Sequence, residues 1–157
     1  MMTFREFLEK KAQGQRQSER RERRDEWVAA VGRLIAQLRA WLTESDPDRL
    51  LDVVPLEVEK AEPDLGTYTV PSLKIGVGDV AVRVEPVGRN AVGVVRPRGD
   101  PSVRAEGRVD VTDGVRKYIL YRTLKDGKES WYALDERFEA TPLDRGRLEA
   151  ILQDLLS

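Results

Sequence analysis

The side chains that most often carry out chemistry in proteins are missing here, because the 157 residues include no histidine and no cysteine. Histidine is the commonest general base near neutral pH, the cysteine thiolate is a strong nucleophile, and the two supply most zinc and iron ligands. Their absence excludes Ser-His-Asp and Cys-His catalysis, thiol redox chemistry and metal sites with nitrogen or sulfur ligands. Carboxylates, lysines, tyrosines and hydroxyls remain for chemistry.

The carboxylates have no spacing that marks a catalytic site. Glycoside cleavage needs two acids that converge across a cleft, whereas Glu57 and Glu59 fit the exposed side of one outer strand. Nuclease-like magnesium sites combine a Pro-Asp with an acid-x-Lys; Pro63-Asp64 and Asp126-Gly127-Lys128 match those letters, but the second is a hairpin turn. We therefore predict no catalytic residue, no metal ligand and no cofactor, and the sequence favours a non-catalytic protein over an enzyme.

Two short motifs fit turns better than binding sites. Gly76-Val77-Gly78 lacks the third glycine and the following helix of a nucleotide-binding loop. Arg98-Gly99-Asp100 spells the integrin-type adhesion tripeptide, but it lies between two prolines, where a turn favours glycine and aspartate. Both are predicted to be turns or loops.

Composition limits the class of protein further. Apolar residues are 40% and charged residues 35%, and the net charge of −1 gives the whole chain no strong attraction to nucleic acid or to an anionic membrane. The apolar runs are too short to span a bilayer, and the first residues lack the apolar stretch and cleavage site of a secretory signal. We predict a cytoplasmic protein, of the bacterial type, with no membrane partner.

Residues 1–26 are predicted to form a charged helical arm, separate from a single α+β domain over 27–157; we call residues 1–26 the N-terminal arm. Thr3-Phe4-Arg5-Glu6 fits a capping box, and Met2 with Phe7 fits a hydrophobic staple, so a short helix should begin here. The N-terminal arm carries eight bases and six acids. Gly14 and nearby glutamines allow a break before the charged stretch.

A wide apolar stripe begins after the N-terminal arm. At helical spacing it continues upstream as arginines, so one side of a continuous helix would change from apolar to cationic. The arginines could hold an anionic partner, while the alternative is a solvated helix or frayed tail whose charges cancel. The stripe consists of Trp27, Val28, Val31, Leu34, Ile35, Leu38, Trp41 and Leu42, and the arginines are Arg16, Arg20 and Arg23 or Arg24.

The rest of the chain predicts an antiparallel β-meander of six to seven strands followed by a C-terminal helix packed on the sheet. That helix should begin with Thr141 as its N-cap and Pro142 in its first turn. We expect the apolar stripe and the sheet to share one core, which makes the fold class α+β. The predicted strands are 53–60, 66–76, 79–87, 90–97, 102–112, 115–124 and 128–134.

Asp126-Gly127 is the strongest hairpin signal in the chain, since a two-residue turn needs positive φ at both positions. It predicts that Tyr121 faces Tyr132 and that Arg122 faces Trp131. Both faces of this hairpin are then apolar, so either the sheet folds over on itself or helices cover one face and a partner or ligand meets the other. Arg122 over Trp131 is predicted to be structural packing, with a cation–π pair or the floor of a binding cleft as alternatives.

These patterns lead to three hypotheses about function. The first is a non-catalytic binding or assembly module that acts through protein-protein contacts with another protein or with itself. The second is a nucleic-acid-associated accessory protein that uses the arginine-rich arm, and the third is a small carboxylate-dependent hydrolase. The candidate partner-binding residues are Arg16, Arg20, Arg23, Arg24, Trp27, Arg122 and Trp131.

Overall fold

A long helix, a seven-stranded antiparallel sheet and a C-terminal helix make up the protein, which confirms the predicted α+β class. The computed structural model describes residues 1–91, 93–97, 101–135 and 137–157, so the Arg98-Gly99-Asp100 motif lies outside the described residues. In chain order the elements are α1 (Phe4–Ser45), β1 (Asp52–Glu62), β2 (Gly66–Val77), β3 (Val80–Gly88), β4 (Val94–Val95), β5 (Val103–Arg104), β6 (Arg108–Thr112), β7 (Lys117–Lys125), β8 (Lys128–Leu134), β9 (Ala140–Pro142) and α2 (Arg145–Leu155).

Helix α1 runs without interruption through both the charged stretch and the apolar stripe. The predicted capping box is present: the Thr3 hydroxyl accepts from the Glu6 amide, and the Glu6 carboxylate accepts from the Thr3 amide. The break that Gly14 allowed does not occur, since one exposed glycine costs a helix only about 1 kcal/mol. The helix ends at Asp46, whose carboxylate accepts the amide protons of Leu50 and Leu51, each at 2.8 Å.

The main sheet has the strand order β1-β2-β3-β6-β7-β8-β9, and every neighbouring pair is antiparallel. The predicted hairpin is confirmed: Asp126 and Gly127 have φ values of 54° and 75°. Tyr121 pairs with Tyr132 and Arg122 pairs with Trp131, in the predicted register.

Two of the predicted strands are wrong in their extent. The strand expected over 90–97 is reduced to β4, and the strand expected over 102–112 is divided into β5 and β6. The division falls before Gly107, whose φ of 149° lies outside the range of a regular strand. Strands β4 and β5 pair with each other in a separate two-stranded sheet, so they form an insertion between β3 and β6.

The predicted start of the C-terminal helix is also wrong. Thr141 and Pro142 belong to β9, and α2 begins after the N-cap Asp144, whose carboxylate accepts the Arg147 amide proton at 2.7 Å. Pairing with β8 extends the backbone of 140–142, and an aspartate two residues later provides the cap instead. The buried side of α2 consists of Leu148, Ile151, Leu152 and Leu155.

Two apolar clusters lie on opposite faces of the β7–β8 hairpin. The larger one contains the stripe of α1, the buried side of α2 and the sheet residues Leu120 and Ala133, so helices and sheet share one core as predicted. The smaller one contains Tyr121 and Leu134 together with Val95 and Ala105 from the insertion. Helices therefore cover one face, and the β4–β5 insertion, which the sequence did not reveal, packs on part of the other.

Candidate protein-protein interface

The seven candidate partner-binding residues divide into surface and interior positions. Arg16 and Arg20 are exposed, while Arg23 and Arg24 are half-buried where the N-terminal arm meets the sheet. Trp27 and Arg122 are only 0% and 1% exposed, and Trp131 is half-buried. The structure thus brings the last three together inside the chain, and the arginines of the N-terminal arm form the accessible part of the predicted set.

Trp27 fixes the point where α1 leaves the sheet. Its indole lies against Trp131, with ring centroids 6.3 Å apart and planes inclined at 35°. It also packs on Gly107 so closely that a Cβ there would meet the ring at under 3.0 Å. Downstream of this contact α1 is held in the core, and upstream of it the helix leaves the body of the protein.

A buried guanidinium ties the N-terminal arm to the β7–β8 hairpin. Arg122 makes a bidentate ion pair with Glu26 at the end of the N-terminal arm, and its Nε donates to Glu129 at 2.7 Å. Arg33 reaches the other side of Glu129 through Nη2 at 2.9 Å. Arg122 therefore binds carboxylates rather than stacking on Trp131, and four charged groups link α1 to β7 and β8.

The electrostatics of this cluster favour its ionised form. Burial raises the pKa of Glu129, but hydrogen bonds from Arg33 and Arg122 outweigh it and hold the pKa below its ordinary value of 4.5. The hydrogen bond to Glu129 raises the pKa of Arg33 in turn. These are charge-assisted hydrogen bonds, which are stronger than neutral ones.

Beyond this junction α1 projects away from the body. Every residue from Phe4 to Glu22 is exposed, and at 1.5 Å per residue these 19 residues span about 28 Å. The local support within this segment is modest: an Arg5–Glu9 ion pair at 3.1 Å and a hydrogen bond from Gln15 to Glu19 at 3.5 Å. An isolated helix of this length is marginal in water, so its stability depends on the anchored part of α1 or on a partner.

Apolar side chains gather at the free end of the N-terminal arm. Phe4 and Phe7 stack with centroids 6.4 Å apart, and both rings are accessible to solvent. We call this group of four residues the arm tip: Met2, Phe4, Phe7 and Leu8, which are 46%, 76%, 47% and 48% exposed. The staple pattern was predicted from the sequence, but none of these four residues is among the seven candidates, because only the structure shows that no described part of the chain covers them.

Charge is divided between two sides of the N-terminal arm. At 100° per residue the four arginines fall on the side that faces the body farther along α1. Four of the six acids lie on the other side, together with most of the arm tip. The division is incomplete, because Glu6 and Glu9 fall on the arginine side, and Lys11 and Arg21 fall on the acidic side. The arginine side contains Arg16, Arg20, Arg23 and Arg24, and the acidic side contains Glu19, Glu22, Asp25 and Glu26.

A groove of about 400 Å³ lies between α1 and the outer edge of β8. Strand β9 pairs with β8 from Tyr132 to Leu134, and the Leu143 amide donates to the Trp131 carbonyl at 2.9 Å. In the described part of the chain, the edge from Lys128 to Ser130 has no strand beside it. The apolar lining includes two half-exposed tryptophans, and the polar lining includes the Arg33–Glu129 ion pair. The lining residues are Arg33, Leu34, Gln37, Trp41, Glu129, Ser130, Trp131, Tyr132, Pro142 and Leu143.

The arm tip and the groove between α1 and β8 have side chains suited to binding a protein. Apolar rings on a projecting helix and an aromatic groove are the features through which proteins bind one another. Within the described ranges no three acidic side chains converge on a possible metal site. Neither described helix has a stretch long and apolar enough to cross a membrane.

Comparisons with protein-family models, with curated proteins and with solved structures find no match to this chain.

Proposed function

We propose that this protein is a non-catalytic binding or assembly module that acts through protein-protein contacts of its N-terminal arm. The observation that supports this proposal is the arm tip, where four large apolar side chains are displayed at the end of an exposed helix. Exposed apolar surface gathered in one place is typical of an interaction site. The proposal takes up the first of the three sequence hypotheses and locates the contact at the arm tip instead of at the seven residues predicted from the sequence.

The anchoring of the arm adds support. The bidentate Arg122–Glu26 pair and the buried Trp27 ring hold the base of α1 in a fixed direction. A rigid support reduces the entropy lost when a partner orders the binding surface. The anchored base therefore sets the direction in which the arm tip is presented to a partner.

Light scattering coupled to size exclusion tests the proposal on the full chain. We expect a mass above the 17.8 kDa of one chain, and a monomer for the Phe4→Ser/Phe7→Ser variant, because the stacked rings supply most of the apolar area of the arm tip. Val115→Ser is the matched control, since Val115 is 92% exposed in the β6–β7 turn and should leave the mass unchanged. A monomer for all three chains over a wide concentration range would refute self-association.

A shortened chain tests the role of the arm without removing the ion pair that anchors it. A chain that begins at Arg23 lacks the arm tip but keeps Glu26, so the ion pair with Arg122 is preserved. We expect this chain to melt like the full protein and to elute as a monomer. If it associates as the full chain does, the arm has no part in assembly.

The arginine side of the N-terminal arm favours the nucleic-acid hypothesis as a second candidate. Arginines that neutralise phosphates would make binding to a DNA duplex weaken steeply as salt rises. Arg20→Ala/Arg23→Ala/Arg24→Ala should then abolish binding, whereas Arg39→Ala/Arg49→Ala/Arg83→Ala removes the same charge outside the arm and should not. Equal effects of the two triple variants on fluorescence anisotropy would rule out a specific role for the arm.

The carboxylate-dependent hydrolase is not favoured by any described feature. A general acid needs a carboxyl with a raised pKa. The carboxyls with resolved shifts, Asp113 and Glu129, both have lowered pKa values, through backbone hydrogen bonds in Asp113 and through arginine contacts that outweigh burial in Glu129.

A further inference from the structure

We propose that the cavity between the β4–β5 insertion and the β7–β8 hairpin binds a small organic oxyanion, that is, a carboxylate or a phosphate monoester on an apolar or aromatic body. The cavity has a volume of about 360 Å³, at the lower end of the range for ligand sites. Its walls come from 94–96, from the hairpin and from 137–140. It lies on the face of the hairpin opposite to α1 and α2, so this inference goes beyond the proposed function and does not depend on the N-terminal arm.

Two guanidinium groups give the cavity a positive charge. Arg96 directly follows β4, and Arg137 lies between β8 and β9. The described lining contains no carboxylate, and neither guanidinium has an ion pair with any described residue. Arginine forms paired hydrogen bonds with carboxylate and phosphate oxygens, because its planar group matches their spacing. The ligand that compensates this charge is therefore an oxyanion.

A buried phenol supplies a further hydrogen-bond donor. Tyr121 lines the cavity and is only 8% exposed. The end of its ring packs so closely on Gly93 that a Cβ there would lie 2.7 Å from the hydroxyl oxygen. Among the described residues the hydroxyl has no hydrogen-bond partner, although a buried tyrosine usually finds one. A bound oxyanion would be the acceptor that this hydroxyl lacks.

The other lining residues are apolar and favour an organic ligand over an inorganic ion. Phe138 and Val94 are 73% and 54% exposed, while Leu134 and Ala140 belong to the smaller apolar cluster. An inorganic anion held by the arginines would leave these side chains in contact with water. An apolar body attached to the oxyanion would cover them and gain free energy from the buried area.

Asp135 fixes the backbone of two lining residues. Its carboxylate accepts the amide protons of Arg137 at 2.8 Å and Glu139 at 3.1 Å, and its carbonyl accepts that of Phe138 at 3.0 Å. Phe138 has a φ of 60°, a left-handed conformation that bulky residues rarely adopt. Such strain persists where surrounding contacts impose it, and it is common at ligand sites. These hydrogen bonds therefore hold the backbone of Arg137 and Phe138 at the cavity.

Isothermal titration calorimetry on the full chain tests the proposal with benzoate and phenyl phosphate, which distinguish a carboxylate site from a phosphate site. We expect at least one of them to bind. Benzamide, which has the shape of benzoate without its charge, should bind roughly tenfold more weakly or worse, because it forms no charge-assisted hydrogen bonds. Acetate and inorganic phosphate should also bind roughly tenfold more weakly or worse, because they cover none of the apolar wall.

Substitutions locate the binding. Arg96→Ala/Arg137→Ala should weaken it roughly tenfold or more. Arg20→Ala/Arg39→Ala is the matched control, since it removes two exposed arginines of α1 and should leave the affinity unchanged.

A second variant separates binding from stability. Tyr121→Phe should lower the affinity about tenfold, because a hydrogen bond to a charged group is lost. It should leave the melting temperature unchanged, since the hydroxyl has no partner to lose among the described residues.

Three results would overturn the inference. The first is no binding of benzoate or phenyl phosphate at any concentration up to their solubility. The second is equal affinity for benzamide or for the inorganic anion. The third is an equal effect of the two double arginine variants, which would show general attraction of anions to the protein. All three would leave the proposed function standing, because neither Arg96 nor Arg137 belongs to the N-terminal arm.

Discussion

Arg122 is the residue on which the junction between the N-terminal arm and the sheet depends. Its side chain is 2% exposed, and its charge is matched by Glu26 from α1 and Glu129 from β8. A buried guanidinium without such partners would cost several kcal/mol. The direction in which the N-terminal arm leaves the body is therefore coupled to a single buried cation.

We expect Arg122→Ala to destabilise the protein by about 2–3 kcal/mol, because it removes a buried ion-pair network and the packing of the arginine stem. Arg33→Ala is the matched control: Arg33 binds the same Glu129 but its side chain is 57% exposed. Its loss should cost less than about 1 kcal/mol. Urea denaturation measures both, and equal losses would show that Arg122 does not hold the junction.

The lowered pKa of Glu129 predicts how stability depends on pH. Because the folded state binds a proton at Glu129 more weakly than the unfolded state, the stabilisation is present above pH 4.5 and is lost as the pH falls through the lower folded pKa. Glu129→Gln should therefore flatten the stability profile below pH 4.5. Glu59→Gln, at an exposed strand position, is the control. Equally steep profiles in the unsubstituted protein and in both variants would show that the lowered pKa of Glu129 does not cause the pH dependence.

Gly107 is required by the packing of Trp27. We expect Gly107→Ala to destabilise the protein by roughly 2–3 kcal/mol, since a Cβ would overlap the indole ring and the backbone φ of 149° disfavours a side chain. Val115→Ala in the exposed β6–β7 turn should be nearly neutral. Thermal melting compares the two, and unchanged stability in Gly107→Ala would show that Trp27 moves without cost.

At the scale of elements, α1 is one helix whose two parts are stabilised in different ways. From Trp27 onward the helix is stabilised by burial against the sheet and α2. Upstream it is stabilised by the capping box, by pairs four residues apart and by continuity with the anchored segment. This difference means that the two parts should respond separately to substitution.

Gly14 tests that separation, since a Cβ at Gly14 would meet nothing within 4 Å. Gly14→Ala should favour the helical arm by about 1 kcal/mol, and Gly14→Pro should break it at a cost of about 3 kcal/mol. Far-UV circular dichroism should show helix content rise in the first and fall in the second. The melting temperature of the body should stay the same in both, and a large drop for Gly14→Pro would mean that the arm stabilises the sheet.

At the scale of the whole molecule, the β7–β8 hairpin separates two apolar clusters, one on each of its faces. Helices α1 and α2 cover one face, and the β4–β5 insertion packs on part of the other, so both sides of the β7–β8 hairpin are buried. The sequence predicted the two-faced hairpin and left open what covers each face. The insertion was missed because β4 and β5 are two residues long and have no periodicity to detect.

The sequence by itself determined the elements whose signals are local. The capping box at Thr3, the turn at Asp126-Gly127 and the apolar stripe from Trp27 each depend on residues close together in the chain. For the same reason the α+β class and the register of the hairpin could be predicted. The start of α2 was misplaced, because pairing of 140–142 with β8 is a contact between elements and overrides a local cap. The strands expected over 90–97 and 102–112 were wrong in extent, because β4 and β5 form a separate sheet.

Only the tertiary structure decided which candidate residues are accessible. Trp27 and Arg122 have the residue types of a binding surface, yet contacts with Gly107, Glu26 and Glu129 bury them. The contact between Glu26 and Arg122 joins residues 96 positions apart. The arm tip shows the reverse: its sequence resembles a local staple, and it is exposed because a continuous helix carries it beyond the reach of any other element. Exposure is a property of the whole packed chain, so local pattern alone could not assign it.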